Sequence, residues 1–118
     1  MDFGASFDIP PITLVSPANA TRFDTNEGFP VFVWDSSYIQ FKIQFSTASS
    51  FEVNTLTFLE SNDAWLNEPS ITLNRTQEGD IKTLLRNAGT ELIYWRVLAQ
   101  DSYGNVEMSE TQRLFLSN

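Results

Sequence analysis

Between positions 38 and 45 the chain alternates almost perfectly, with Ile39, Phe41, Ile43 and Phe45 on one phase and Tyr38, Gln40, Lys42 and Gln44 on the other. Successive side chains of a strand point to opposite faces, so eight residues of period two describe a strand with one buried and one wet face. The same run cannot satisfy the 3.6-residue period of a helix. A second long run, residues 91–101, repeats the pattern: Ile93, Trp95, Val97 and Ala99 share one phase. Two half-buried strands cannot fold alone, and the rest of the chain must supply the surface that covers them.

The remaining segments read in that light. Residues 30–35 are apolar on both phases and predict a central strand, with Ser36-Ser37 as the turn of a hairpin into residues 38–45. Residues 12–15 predict an edge strand, because the prolines at 10, 11 and 17 cannot donate to a ladder. Residues 21–28 are polar and turn-like. Residues 51–59 predict a less regular strand and residues 70–73 a short one. Residues 106–116 predict the last strand, after a turn at Ser102-Tyr103-Gly104-Asn105. One stretch breaks the pattern. Ile81, Leu84 and Leu85 stand at helical spacing, with Glu78 and Asp80 before them, Arg86 after them and Gly89 as a terminator. That charge order predicts a helix over 78–88. Short strands joined by turns give an all-β class: a two-sheet antiparallel sandwich of about seven strands with one short helical insertion. At 118 residues the chain suits one domain, read as an N-terminal tail at 1–10 and the sandwich at 11–118.

Composition narrows the chemistry. The formal charge is −8, and seven basic residues cannot neutralise a phosphate backbone, so nucleic-acid binding is not expected. An anionic membrane surface would repel the chain for the same reason. There is no cysteine and no histidine, which removes thiolate chemistry, disulfides, the commonest general base and the commonest metal ligand. No stretch approaches the roughly 18 apolar residues of a membrane span, and the first twenty residues show neither the basic start nor the apolar run of a signal peptide.

The stretch Gly89-Thr90-Glu91-Leu92-Ile93-Tyr94-Trp95-Arg96-Val97-Leu98-Ala99-Gln100-Asp101-Ser102-Tyr103-Gly104-Asn105 resembles strand F and the F–G turn of fibronectin type III-like domains of bacterial surface and secreted proteins. Leu14-Val15-Ser16-Pro17-Ala18-Asn19 resembles the opening strand and proline turn of that family. Phe32-Val33-Trp34-Asp35 resembles its strand B, Phe41 the aromatic of strand C, and Phe115 the aromatic closing strand G. Only the W-R-V-x-A-x-D-x-x-G-N part is specific. Ile93 stands where the family carries its corner tyrosine, which implies that the corner hydrogen bond is missing. The resemblance implies an immunoglobulin-like sandwich with a spacer, adhesion or accessory-binding role, and it carries no catalytic residue.

Candidate sites are few. Trp34 and Trp95 lie on the apolar phase of strands and read as core. Trp65 lies in a polar loop between Asn62-Asp63 and Asn67-Glu68-Pro69. There it would offer an aromatic plane to a sugar ring, with Asp63 for the hydroxyls; alternatively, Trp65 and Leu66 fold back to cap the sandwich. Tyr103, at the tip of the turn, and Tyr38 are weaker candidates of the same type. Asp101 with Asn105, or Glu60, Asp63 and Glu68 together, would suit a hard cation, though the spacing matches no calcium loop. The simpler reading of Asp101 is a turn former. The pairs Glu107/Glu110 and Asp24/Glu27 lack the deep cleft that glycoside hydrolysis needs. Asn19-Ala20-Thr21 and Asn74-Arg75-Thr76 match the glycosylation triplet.

The expectation is a non-catalytic spacer or protein-interaction module of a larger extracellular or cell-envelope protein, acting as a monomer with no cofactor and no metal. Its partners would be neighbouring domains or other proteins. The alternative is a carbohydrate-binding accessory module whose exposed aromatics, Trp65 and Tyr103, stack on polysaccharide.

Overall fold

The structure is a computed structural model that describes residues 12–53, 55–58 and 65–117. Its strands form two sheets. The smaller has the order β1-β3-β6, with β1 (Ile12–Ser16) at the edge as its flanking prolines predict, β3 (Phe32–Ser36) central and β6 (Ser70–Ile71) on the far side. The larger has the order β2-β9-β7-β4-β5, from β2 (Thr21–Asp24), β9 (Gln112–Ser117), β7 (Leu92–Gln100), β4 (Gln40–Ser46) and β5 (Thr55–Phe58). A short strand, β8 (Val106–Met108), runs beside the second half of β7.

The long alternating runs behave as their period demands. In β7 every second residue is buried, with Ile93, Trp95, Val97 and Ala99 all fully shielded. In β4 the buried apolar set is Phe41, Ile43 and Phe45, and the strand ends on a buried Ser46 whose hydroxyl donates to the Val53 carbonyl at 2.8 Å. Ile39, on the same phase in sequence, is 57% exposed because β4 begins only at Gln40. The expected hairpin at Ser36-Ser37 does not form: β3 and β4 belong to different sheets. Residues 37–39 cross between the layers, so the aromatics of the two strands meet across the core. Phe32 stands edge-on to Phe45, with ring centroids 5.1 Å apart, and to Trp95 at 5.0 Å. Trp34 stands edge-on to Phe41 at 5.5 Å. Offset and edge-on geometry suits the ring quadrupoles, and rings this large fill the space between two sheets.

Two further expectations need correction. Residues 21–28 include β2, which pairs with β9 in parallel, so the larger sheet is mixed and not wholly antiparallel. The chain climbs β1 and then steps sideways onto the other sheet without reversing. The Asn19 side-chain oxygen accepts the Arg113 N–H at 2.8 Å, and the Ala20 N–H donates to the Arg113 carbonyl at 2.8 Å, fixing that step. The single strand expected over 106–116 is two, β8 and β9. Ser109 interrupts it: the Val97 N–H donates to the Ser109 hydroxyl at 2.8 Å, which removes one backbone pairing from the ladder.

The helix α1 (Arg75–Ala88) starts three residues before the expected position. Asn74 accepts the Gln77 N–H at 2.8 Å and the Gln77 side chain accepts the Asn74 N–H at 2.9 Å, a reciprocal capping box. Gly89 ends it as predicted, in the left-handed conformation at φ 69°. The helix buries Ile81 and Leu85 and lies next to β5.

The registers also set the direction of travel. Ile12 sits opposite Ser36, at the end of the molecule where residues 37–39 cross and β7 finishes. Ser117 sits at the other end, past the start of β7. The described chain therefore enters at one end of the two sheets and leaves at the other.

Candidate functional site

The Trp65 segment is tied to the open half of the β4 edge. β5 pairs with residues 43–46 of β4, and below it Leu66 makes an isolated bridge with Phe41, each N–H donating to the other's carbonyl at 2.7 Å. Leu66, 5% exposed, points into the core. Trp65 does not share that burial. It is half-buried on the opposite side, where the Lys42 ammonium lies 4.5 Å from its ring centroid. The two residues thus divide the alternatives: Leu66 is packing, and Trp65 stands on the outer face with a cation over its ring. Asp63 and Glu60 lie outside the described residues. Asn67 and Glu68 are exposed and, with Leu66, Ser70, Ile71 and Thr72, line a cleft of about 320 Å³.

Tyr103 is 89% exposed at the tip of the turn after β7. That turn is built around Asp101. One carboxylate oxygen accepts the N–H groups of Tyr103 at 2.8 Å and Asn105 at 2.9 Å, and the other accepts the Asn105 side-chain amide at 3.0 Å. Gly104, at φ 88°, adopts the backbone conformation the turn needs. The Asn105 side-chain amide, helped by the backbone donors and opposed by slight burial, holds the Asp101 carboxyl below its ordinary value. Every donor faces the carboxylate as it would in a turn, and Asn105 serves as a donor to it, not as a second oxygen ligand. No group of three acidic, histidine or cysteine side chains suited to a metal occurs among the described residues.

Tyr38 and Ile39 line a second cleft, of about 260 Å³, with Ser37, Asp101 and Ser102 at the same end of the molecule. Trp65 lines neither cleft. Asp24, Glu27, Glu107 and Glu110 are exposed and line neither cleft. The Asp24 side chain caps its own turn by accepting the Asn26 N–H at 2.9 Å. Asn19 and Asn74, the heads of the two glycosylation triplets, both use their side-chain oxygens for backbone contacts.

Sequence reasoning missed one feature of the outer face. Arg96 lies 4.0 Å from the ring centroid of Phe51 and donates from Nε to Gln44 Oε1 at 2.8 Å. Burial pushes its guanidinium below its ordinary value. The alternation of β7 places Arg96 on the outer face, but nothing in the sequence pairs it with a loop residue 45 positions earlier. Comparison with protein-family models finds no match, and comparison with curated protein sequences finds none either.

Proposed function

We infer that the chain is a non-catalytic spacer or protein-interaction module of the fibronectin type III-like kind, carried by a larger extracellular or cell-envelope protein. The strand order carries the reading. If β1, β3 and β6 are strands A, B and E, and β4, β7 and β9 are strands C, F and G, the pairings A-B-E and C-F-G are those of an immunoglobulin-like sandwich. β5 then stands as an added strand beside C, and β2 as a second part of A moved onto G. The placement of Ile12 and Ser117 at opposite ends of the two sheets suits a module that holds its neighbours apart. The secreted, bacterial setting rests on the resemblance around Trp95-Arg96-Val97 alone.

The carbohydrate reading keeps one supporting observation, the outward placement of Trp65. A sugar ring stacking there would have to displace or share the Lys42 ammonium. Following the three indole N–H signals by NMR during titration with soluble polysaccharides separates the two. The spacer reading expects all three to stay still. Movement of the Trp65 signal alone, with Trp34 and Trp95 fixed, would overturn it in favour of the carbohydrate module.

A further inference from the structure

Resting on the interaction-module reading, we propose that the free edge of β8 is a docking site for an extended polypeptide strand that presents a basic residue between two apolar ones. Among the described residues β8 pairs with β7 only. The Asp101 N–H donates to the Asn105 carbonyl at 3.0 Å and the Ser109 N–H donates to the Val97 carbonyl at 2.8 Å. Antiparallel pairs alternate between bonded and non-bonded, so the bonded pair between these two is Ala99–Glu107. The N–H and C=O groups of Val106 and Met108 consequently point away from β7, along an edge that β9 and β2 cover only farther up the sheet.

The side chains along this edge define what fits it. Val106 and Met108 are 47% and 52% exposed, and they lie opposite Gln100 and the half-buried Leu98 on the outer face. Glu107 points to the other face, is exposed, and pairs with no cation among the described residues. An incoming strand would extend the outer row with apolar residues beside Val106 and Met108, and would set the residue between them against Glu107. Opposite charges across a strand pair stabilise it, and like charges oppose it. In the two-fold register centred on Glu107 a second copy of this chain would place Glu107 against itself, so the same carboxylate that guards a short edge against self-pairing selects a basic partner. The net charge of −8 steers such a partner in the same direction.

The test uses the full chain and a nine-residue blocked peptide, Thr-Lys-Thr-Val-Lys-Val-Thr-Lys-Thr, followed by NMR at millimolar concentration. The amides of Val106 and Met108 should exchange freely with solvent in the protein alone, then shift and gain protection with the peptide. Replacing the central lysine of the peptide by glutamate should weaken binding about fivefold, and Glu107→Lys should reverse that preference. Met108→Pro removes an N–H that faces the edge and not β7, so it should abolish binding while leaving the fold intact. Protection of these amides in the free protein, equal binding of the two peptides, no binding, or full binding by Met108→Pro would each overturn the proposal. Binding that maps to another surface would overturn the β8 assignment and leave the interaction-module reading standing.

Discussion

Replacing Phe32 by alanine should remove a large share of the stability of this domain. Phe32 is fully shielded and is the one ring of the smaller sheet that meets both Phe45 and Trp95 edge-on. Truncation of a buried phenylalanine costs about 3–5 kcal/mol through lost transfer energy and an unfilled cavity. Against a total of about 5–15 kcal/mol for a domain, that is about a fifth or more. Phe32→Leu keeps most of the volume and loses mainly the two edge contacts, each worth about 0.5–1.5 kcal/mol, so it should fall between wild type and Phe32→Ala. Phe115→Ala is the control. Phe115 lies on the outer face of β9, half-buried, with the Arg22 guanidinium 4.9 Å from its ring, and should cost about 1 kcal/mol or less. Urea unfolding followed by tryptophan emission measures all three, and Phe32→Ala should lower the midpoint by about 2 M for an ordinary denaturant slope. If Phe115→Ala destabilises more than Phe32→Ala, the sheets do not share a core at Phe32 and the face-to-face arrangement is wrong.

Three other outcomes follow from single contacts. Asn74→Ala should cost about 1 kcal/mol by removing one half of the capping box, and Asn74→Ser should recover most of it in the same unfolding assay. Leu66→Ala should cost about 2–4 kcal/mol and Trp65→Ala much less, because only the first residue is core; equal losses would mean that Trp65 also packs inward. The folded-state carboxyl of Asp101 is held below its unfolded value, so the stability it contributes is complete above roughly pH 4 and fades as pH falls through the folded value. Asp101→Asn should therefore flatten the acid side of the stability profile, and an unchanged profile would show that its three hydrogen bonds do not persist in solution.

What the sequence conveyed and what it withheld divide along one physical line. Period-two patterning reports which face of a strand is buried, so the inward sets of β4 and β7 were legible, as was the helix terminator at Gly89. Patterning is silent on which strand lies beside which. Phe32 and Trp34 would point inward equally well in a hairpin with β4 or in a crossing to the opposite sheet. What separates the two is the bulk of the four rings, which stack edge-on across layers and would crowd as neighbours on one face. β2 was illegible for a related reason: Thr21, Arg22 and Asp24 are polar because the strand is at an edge, and its pairing partner comes 93 residues later. The capping box was in plain view as Asn74 and Gln77, three residues apart, but the acidic pair at Glu78 and Asp80 drew the start of the helix forward.

The candidate sites follow the same division. Tyr103 could be placed on an exposed turn from Asp101, Gly104 and Asn105 alone, because local hydrogen bonds build that turn. Trp65 could not, since its exposure depends on Leu66 reaching β4 and on Lys42 standing beside it, both long-range facts. The β8 edge is the extreme case. It exists because Ser109 breaks the ladder and β9 moves on to pair with β2, leaving a three-residue strand in which Val106 and Met108 keep open backbone groups. Such an edge would invite aggregation if it were long and apolar. At three residues with a carboxylate at its centre it instead discriminates by charge, selecting a partner by the residue set against Glu107.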